Sequence, residues 1–436
     1  MSHTPTSTTP GNASGAAAKP TLTGVRIRQR KGQAKATAKF EPEVFRDSLL
    51  LHLALIPTPP TTDALVTKLV QAGTTLEFLK YSEQLFETLV VGGLLQPGGS
   101  YLDEKRSPFY SLQPTEGEAA EALGDWDPVK GIVETIQRVS QRYRYLQRPL
   151  EDSFLPDLLG YLGKWDLASR DKLASTVALL IIELQIAPKC LTSLAKDHVV
   201  KDEVALRFLT TFFRVYLSRQ TIEHLGAVMR RSGLRDILSV FPVAIRDRAH
   251  LDAHFKNEGL PQIVDWYAKV ALSEIKEETI TAVARMIQDE DTNDQVVEYL
   301  KTQQTERPAP EADLCEWIFQ GWMKAFDWSA RADQLESNVV AFVNQVAPAA
   351  EPFASTAKAQ IGILNAMQVY CYQDTRILKA FPQLVKVLYN ADVVSDQAII
   401  YWHQKGAKPN GKQHFLKVTE ALVRFLEEQS DDEDDE

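Results

Sequence analysis

Cysteine is scarce. Cys190, Cys315 and Cys371 are the only three among 436 residues, an odd number with no CxxC pair. They support neither a disulfide framework nor a four-thiolate zinc site, and they point to a reducing compartment. Glycine and proline together make up under a tenth of the chain, which excludes a collagen-like protein and one disordered throughout. No stretch approaches the ~18 apolar residues of a membrane span, and the first residues carry no apolar run of the signal-peptide type. The expected location is the cytoplasm. Phosphate cradles of the GxxxxGK[ST] or GxGxxG form and the GxSxG nucleophile elbow are missing as well. His250 and His254 share a spacing that can hold a metal, but Leu251-Asp252-Ala253 lies between them and no third ligand is evident. No metal, cofactor or catalytic residue is therefore expected, and the chain reads as a non-enzyme.

What is present is ordinary core-forming material, 44% apolar and 24% charged, with a net charge of −10. The charge is unevenly placed. Residues 1–39 hold seven Lys or Arg and no acid, whereas 427–436 hold eight acids and no base. The first 39 residues have no apolar period and read as a disordered basic arm. From Phe40-Glu41-Pro42 onward the pattern is helical. Val204, Phe208, Leu209, Phe212, Val215 and Tyr216 form one helix face, and Phe415, Val418, Leu422 and Phe425 form another. Helix starts are signalled at Thr62-Asp63, Ser273 and Ser395, and stops at Gly73, Gly92-Gly93, Gly233, Gly259 and Gly406. No period-2 alternation suggests a sheet. About eighteen helices of roughly 10–18 residues point to an all-α fold, antiparallel helix pairs stacked as a HEAT-like or ARM-like α-solenoid in two helical units. Breaks are expected at Gln96–Gly124, around Phe241–Arg248 and, as a long loop, at Thr302–Glu311.

Acids interleave with aromatics in two places. Leu388 to Trp402 contains Tyr389, Asp392, Asp396, Tyr401 and Trp402; Phe425, Glu427 and Glu428 lead directly into Asp431, Asp432, Glu433, Asp434, Asp435 and Glu436. Rings at helical spacing are more often core than interface, and acidic tails are often merely solvated. Together they suit a lysine-rich peptide, drawn in over a Debye length of ~8 Å and anchored on a ring face.

The run Leu76-Glu77-Phe78-Leu79-Lys80-Tyr81-Ser82-Glu83-Gln84-Leu85-Phe86-Glu87-Thr88-Leu89-Val90-Val91-Gly92-Gly93-Leu94-Leu95-Gln96-Pro97-Gly98-Gly99 resembles the signature of the basic leucine zipper and W-two domain-containing proteins, mimics of eukaryotic initiation factor five. Lys19-Pro20-Thr21-Leu22-Thr23-Gly24, Phe40-Glu41-Pro42, Arg142-Tyr143-Arg144-Tyr145-Leu146, Tyr370-Cys371-Tyr372 and Lys379-Ala380-Phe381 leading to Trp402 are similar to the same family. The resemblance implies a helical domain at 40–245 like the middle domain of initiation factor four G. It also implies a W-two domain at 250–428 and an acidic tail at 429–436. It further implies a translation initiation regulator that binds lysine-rich segments of the beta subunit of initiation factor two, and the initiation factor three complex, in competition with initiation factor five. Tyr389, Asp392, Asp396 and Trp402 would form the first acidic–aromatic box. Phe425, Glu427, Glu428 and the acids from Asp431 to Glu436 would form the second. Trp328 and Trp402 fit the two tryptophans behind the domain's name, with Phe319 where relatives carry another. Gln397 and Phe425 depart from the family's acid and Trp, and Leu173, Leu180 and Ala187 do not continue a zipper. With three cysteines the chain cannot build the zinc site of the hydrolysis-stimulating domain of initiation factor five. Two other readings remain: a generic helical-repeat scaffold, and an RNA- or ribosome-associated adaptor whose Arg26, Arg28, Arg30 and Lys31 contact phosphates.

Overall fold

The structure is a computed structural model that describes residues 39–116, 121, 123–184, 186–234, 236–325 and 334–434, with only the backbone described for 429–434. The basic arm, including Arg26, Arg28, Arg30 and Lys31, and Trp328 lie outside the described residues. Among these, fourteen α-helices reach ten residues, and the only β-pairing is one isolated antiparallel bridge, Leu95 with Tyr101. The chain divides into two compact units, one running to Arg219 and including Val228–Pro242, the other comprising Gln220–Ala227 and Val243 onward.

In the first unit, α1 (Pro42–Leu53), α2 (Thr62–Ala72), α3 (Pro128–Arg142), α4 (Leu167–Leu184) and α5 (Val204–Leu217) pack each against the next. That sequential stacking is the solenoid expected from the apolar periods. α4 is the central layer: Leu173, Ala174 and every residue from Thr176 to Ile181 are buried, because it is covered by α3 on one side and α5 on the other. Thr61, one residue before the expected start, caps α2 by accepting from the Ala64 amide. Asp127 caps α3 by accepting from Val129 and Lys130 at 3.0 and 3.2 Å, with Pro128 pre-set for the first turn. Between α2 and α3 the chain is irregular. A short helix, Ser82–Phe86, widens into a π-turn over Glu87–Val91, which Gly92 ends at φ +92. A Cβ on Gly92 would lie 2.7 Å from the Tyr110 ring, so only glycine fits.

α6 (Ile222–Ser232) lies across the division. The second unit contains α7 (Arg248–Asn257), α8 (Pro261–Gln288), α9 (Asn293–Glu306), α10 (Glu311–Lys324), α11 (Leu335–Val346), α12 (Ala357–Gln373), α13 (Phe381–Asn390) and α14 (Lys412–Asp434). α10 packs between α8 and α12, and α13 contacts α11, α12 and α14, around a core of Trp322, Phe319, Phe381, Trp402 and Phe415.

Several expectations need correction. Ser273 starts nothing, since α8 runs through it for 28 residues. Thr302–Glu306 is not loop. Thr302 and Thr305 bond back to the carbonyls of Glu298 and Lys301, and no proline interrupts before Pro308, so α9 continues to Glu306. Among the described residues the α-helices of ten or more residues are fewer than eighteen, because 82–127 and 143–164 hold only short helical turns and irregular chain, and two helices exceed 18 residues because no breaker interrupts them. The expected face of α14 is rotated by one residue: Phe415, Thr419, Val423 and Leu426 are buried, while Val418 and Phe425 are exposed. Thr419 can occupy a core position because its hydroxyl bonds the Phe415 carbonyl at 2.8 Å, and a buried polar group with a partner costs little.

Candidate partner-binding surface

That rotation of α14 creates the most conspicuous feature of the carboxy-terminal helices. On α13, Phe381, Leu384, Val385 and Leu388 are buried, which leaves Lys386, Tyr389 and Asn390 along its edge. On α14, Ala421, Leu422 and Phe425 flank the buried stripe. These edges face each other across an open groove of about 410 Å³, lined by Lys386, Tyr389, Asn390, Ala421, Leu422, Phe425 and Leu426. Tyr389 and Phe425, one from each acidic–aromatic segment, thus line the same groove. Tyr389 is half-buried and Phe425 is 53% exposed.

The other members of the first box separate. Asp392 is exposed at φ +55, in the left-handed turn that ends α13. Ser395 then caps the short helix Asp396–Tyr401: its hydroxyl accepts from the Ala398 amide at 3.2 Å and donates to Gln360 Oε1 at 2.8 Å. Asp396, half-buried, occupies the first turn of that helix, where the amide dipoles favour an anion. Trp402 is not a surface anchor. It is fully enclosed, with Nε1 donating to Asn365 Oδ1 at 3.1 Å and its ring 5.4 Å from that of Phe381, itself 4.6 Å from Phe415. Asn365 and Gln368 on α12 hold the loop beyond it through the carbonyls of Gly406, Lys408 and Asn410. Ile399 and Trp402, three apart, share the inward face of their helix, so Tyr401 is the ring turned out, 51% exposed. Sequence reading missed Lys386, Asn390 and Leu422. The signal that finds them is the buried stripe of each helix, whose edge they occupy.

In the second box, Glu427 is half-buried and accepts from Gln404 Nε2 at 3.4 Å, while Glu428 is exposed. Glu420 is paired with Arg424 at 2.5 Å. Among the described residues Lys386 is the one cation lining the groove. α14 remains helical to Asp434, but the side chains of Asp431, Asp432, Glu433 and Asp434, and all of Asp435 and Glu436, lie outside the described residues.

The remaining reactive groups are placed structurally. Burial pushes the thiols of Cys190, Cys315 and Cys371 up to about 12, so each is a protonated core residue at neutral pH. His250 sits 2.6 Å from Asp247, the residue that caps α7, and His254 packs edge-on against Phe255. Among the described residues no group of three or more His, Cys, Asp or Glu could hold a metal, and no helix is long and apolar enough to cross a membrane.

Comparison with known proteins places this architecture. A family described as the 5MP1/2 HEAT domain matches residues 27–277, and one described as W2, eIF4-gamma/eIF5/eIF2-epsilon, matches 359–436. The chain is 27% identical over 422 residues to eIF5-mimic protein 1 of Homo sapiens, covering 96% of this chain and 99% of that protein. It is 27% identical over 423 residues to Protein krasavietz of Drosophila melanogaster (96% and 98%), and 26% identical over 422 residues to eIF5-mimic protein 2-A of Danio rerio (96% and 98%). The long described elements of both matched segments are α-helices, and the first segment spans more than half of the sequence; the chain belongs to the 5MP1/2 HEAT-domain family of eIF5-mimic proteins, with a W2 domain at its carboxy-terminal end.

Proposed function

We propose that this protein is a non-catalytic regulator of translation initiation whose groove between α13 and α14 receives a lysine-rich segment of the beta subunit of initiation factor two. In this reading it also binds the initiation factor three complex and keeps initiation factor five off both. The two working regions are the helical domain at 40–245 and the W-two domain at 250–428. The observation that carries the proposal is the meeting of Tyr389 and Phe425 in one groove, with Asp392, Glu427 and Glu428 on the same helices and turn. A lysine stem can lie along Leu422 and the ring faces while its ammonium reaches a carboxylate, which combines apolar contact with a cation–π and ionic component. Lys386 repels the same peptide and sets its register by excluding a lysine from its own side of the groove. Trp402 contributes from beneath by bracing Phe381 of α13, whose ring in turn meets Phe415 of α14.

The test is capture of the lysine-rich segments by full-length protein at low and at physiological salt. Phe425→Ala and Tyr389→Ala should each weaken binding about tenfold or more, as central anchors do. Affinity should also fall several-fold as salt is raised. Binding that ignores both salt and Phe425 overturns the reading.

A further inference from the structure

A second surface, in the amino-terminal unit, has the opposite charge. The segment 137–150 contains Arg138, Arg142, Arg144 and Arg148 and no acid, in a chain with a net charge of −10. α3 ends at Arg142, and the backbone turns through a 3-10 segment, Arg144–Leu146, into the short helix Gln147–Pro149. Leu146 is fully buried and pins the turn, so its neighbours are turned outward: Arg142, Arg144 and Arg148 are exposed and Tyr145 is 41% exposed. Arg138 is held by Asp63 at 2.7 Å, and Arg148 by Asp152 at 3.3 Å in an exposed pair worth little. Arg142 and Arg144 make no side-chain hydrogen bond or ion pair among the described residues.

Tyr145 is not a loose side chain. Its ring lies 5.8 Å from that of Tyr143, which meets Phe78 edge-on at 5.7 Å, and Phe78 in turn meets Phe45 at 6.1 Å. Tyr143 donates its hydroxyl to the Val70 carbonyl at 3.3 Å. Gly73 leaves the space for that hydroxyl, since a Cβ there would stand 2.6 Å from it. A row of rings rooted in the core therefore ends in one half-exposed aromatic ring, in the same turn as two exposed arginines that have no side-chain partner among the described residues.

We propose that Arg142, Arg144 and Tyr145 form a binding site for a single-stranded polynucleotide, with a base stacked on Tyr145 and the flanking phosphates on the two arginines. Stacking on a fixed ring and charge-assisted contacts to phosphate are the two components of sequence-tolerant single-strand binding. The preformed ring row reduces the ordering cost of presenting the platform. An acidic peptide would satisfy the arginines but leaves the ring without a purpose, so the polynucleotide is the favoured occupant. The site is separate from the groove between α13 and α14.

The test is fluorescence anisotropy of the full-length protein with labelled uridine-rich RNA of about 15 nucleotides, the same sequence as DNA, the RNA as a duplex, and a polyglutamate peptide. Arg142→Ala/Arg144→Ala should weaken single-strand binding about tenfold and lower the salt slope by about 1.4, two phosphate contacts at roughly 0.7 each. Tyr145→Leu should weaken it about fivefold or more, with Tyr145→Phe restoring it. Thermal midpoints should stay at the native value, because all three residues are exposed. Capture of the factor two segments by the double-arginine variant should equal the native level, which separates this site from the groove. Tighter binding of RNA than of DNA names the natural source, and equal binding leaves the site a general single-strand binder. Three results each overturn the proposal: native binding by the double-arginine variant while Arg26→Ala/Arg28→Ala/Arg30→Ala/Lys31→Ala abolishes it; polyglutamate or duplex bound as tightly as the single strand; or no effect of Tyr145→Leu.

Discussion

The turn after α3 and the groove between α13 and α14 both present aromatic rings beside charge, but they do so by different routes. In the groove, regular helices decide which ring is outside. Ile399 and Trp402, three apart, are inside together, and on α14, which is covered on one side, Phe425 is exposed next to buried Leu426. At residues 142–148 the helix has ended, and alternation is set by a 3-10 turn pinned at Leu146, which places Arg144 and Tyr145 outward in succession. In the groove each helix offers one ring beside its buried stripe, whereas the broken helix end puts a ring in one turn with arginines.

The sharpest way to break this contrast is at the two rings once assigned to neighbouring boxes. Trp402→Ala should destabilise the protein by about 3–5 kcal/mol, the usual cost of emptying a fully buried indole site. Phe425→Ala should change stability by only about 0.5 kcal/mol while losing peptide binding. Urea unfolding of both variants checks this, and equal losses would show that the groove ring is core. Next in size, Gly73→Ala should cost about 1–3 kcal/mol through its clash with Tyr143. It should also weaken the Tyr145 platform, so that unfolding and single-strand binding change together.

A smaller and purely titrational effect distinguishes the amino-terminal unit. Burial, with help from the charge on Glu83, pushes the Glu87 carboxyl up to about 7, against the partial compensation of the Leu95 amide. Its folded pKa is raised, so the folded chain holds a proton that the unfolded chain releases from about pH 4.5 upward. This group's contribution to stability consequently falls as pH rises from about 4.5 to about 7 and is level above that. Glu87→Gln should remove this part of the pH dependence and raise stability at neutral pH, read from melting temperatures across that window. An unchanged profile would show that Glu87 ionises freely.

Much of the fold was readable because it rests on local rules. The stripe of α5, the cap at Ser395 and the stop at Gly92 are short-range consequences of residue type. Errors came where two local signals competed. Ser273 looked like a cap but had apolar neighbours on both sides that packing could continue through, and Thr302–Glu306 looked polar enough to be loop although nothing stopped the helix. On α14 the stripe through Val418 is more apolar than the one through Thr419, yet the latter is inside because Thr419 finds a carbonyl within its own helix. Trp402 failed as a surface residue for a related reason: its partners, Asn365 and Phe381, are distant in sequence.

Sequence alone determined the class of structure, the uneven charge of the chain and the pairing of acids with rings near its end, because composition and period act within a few residues. Tertiary packing decided which of those rings meets solvent, that Tyr389 and Phe425 share one groove, and that Tyr145 stands on a row of rings in one turn with two exposed arginines. The reason is that a helix has several candidate faces of similar apolarity, and only the neighbours it buries against select one.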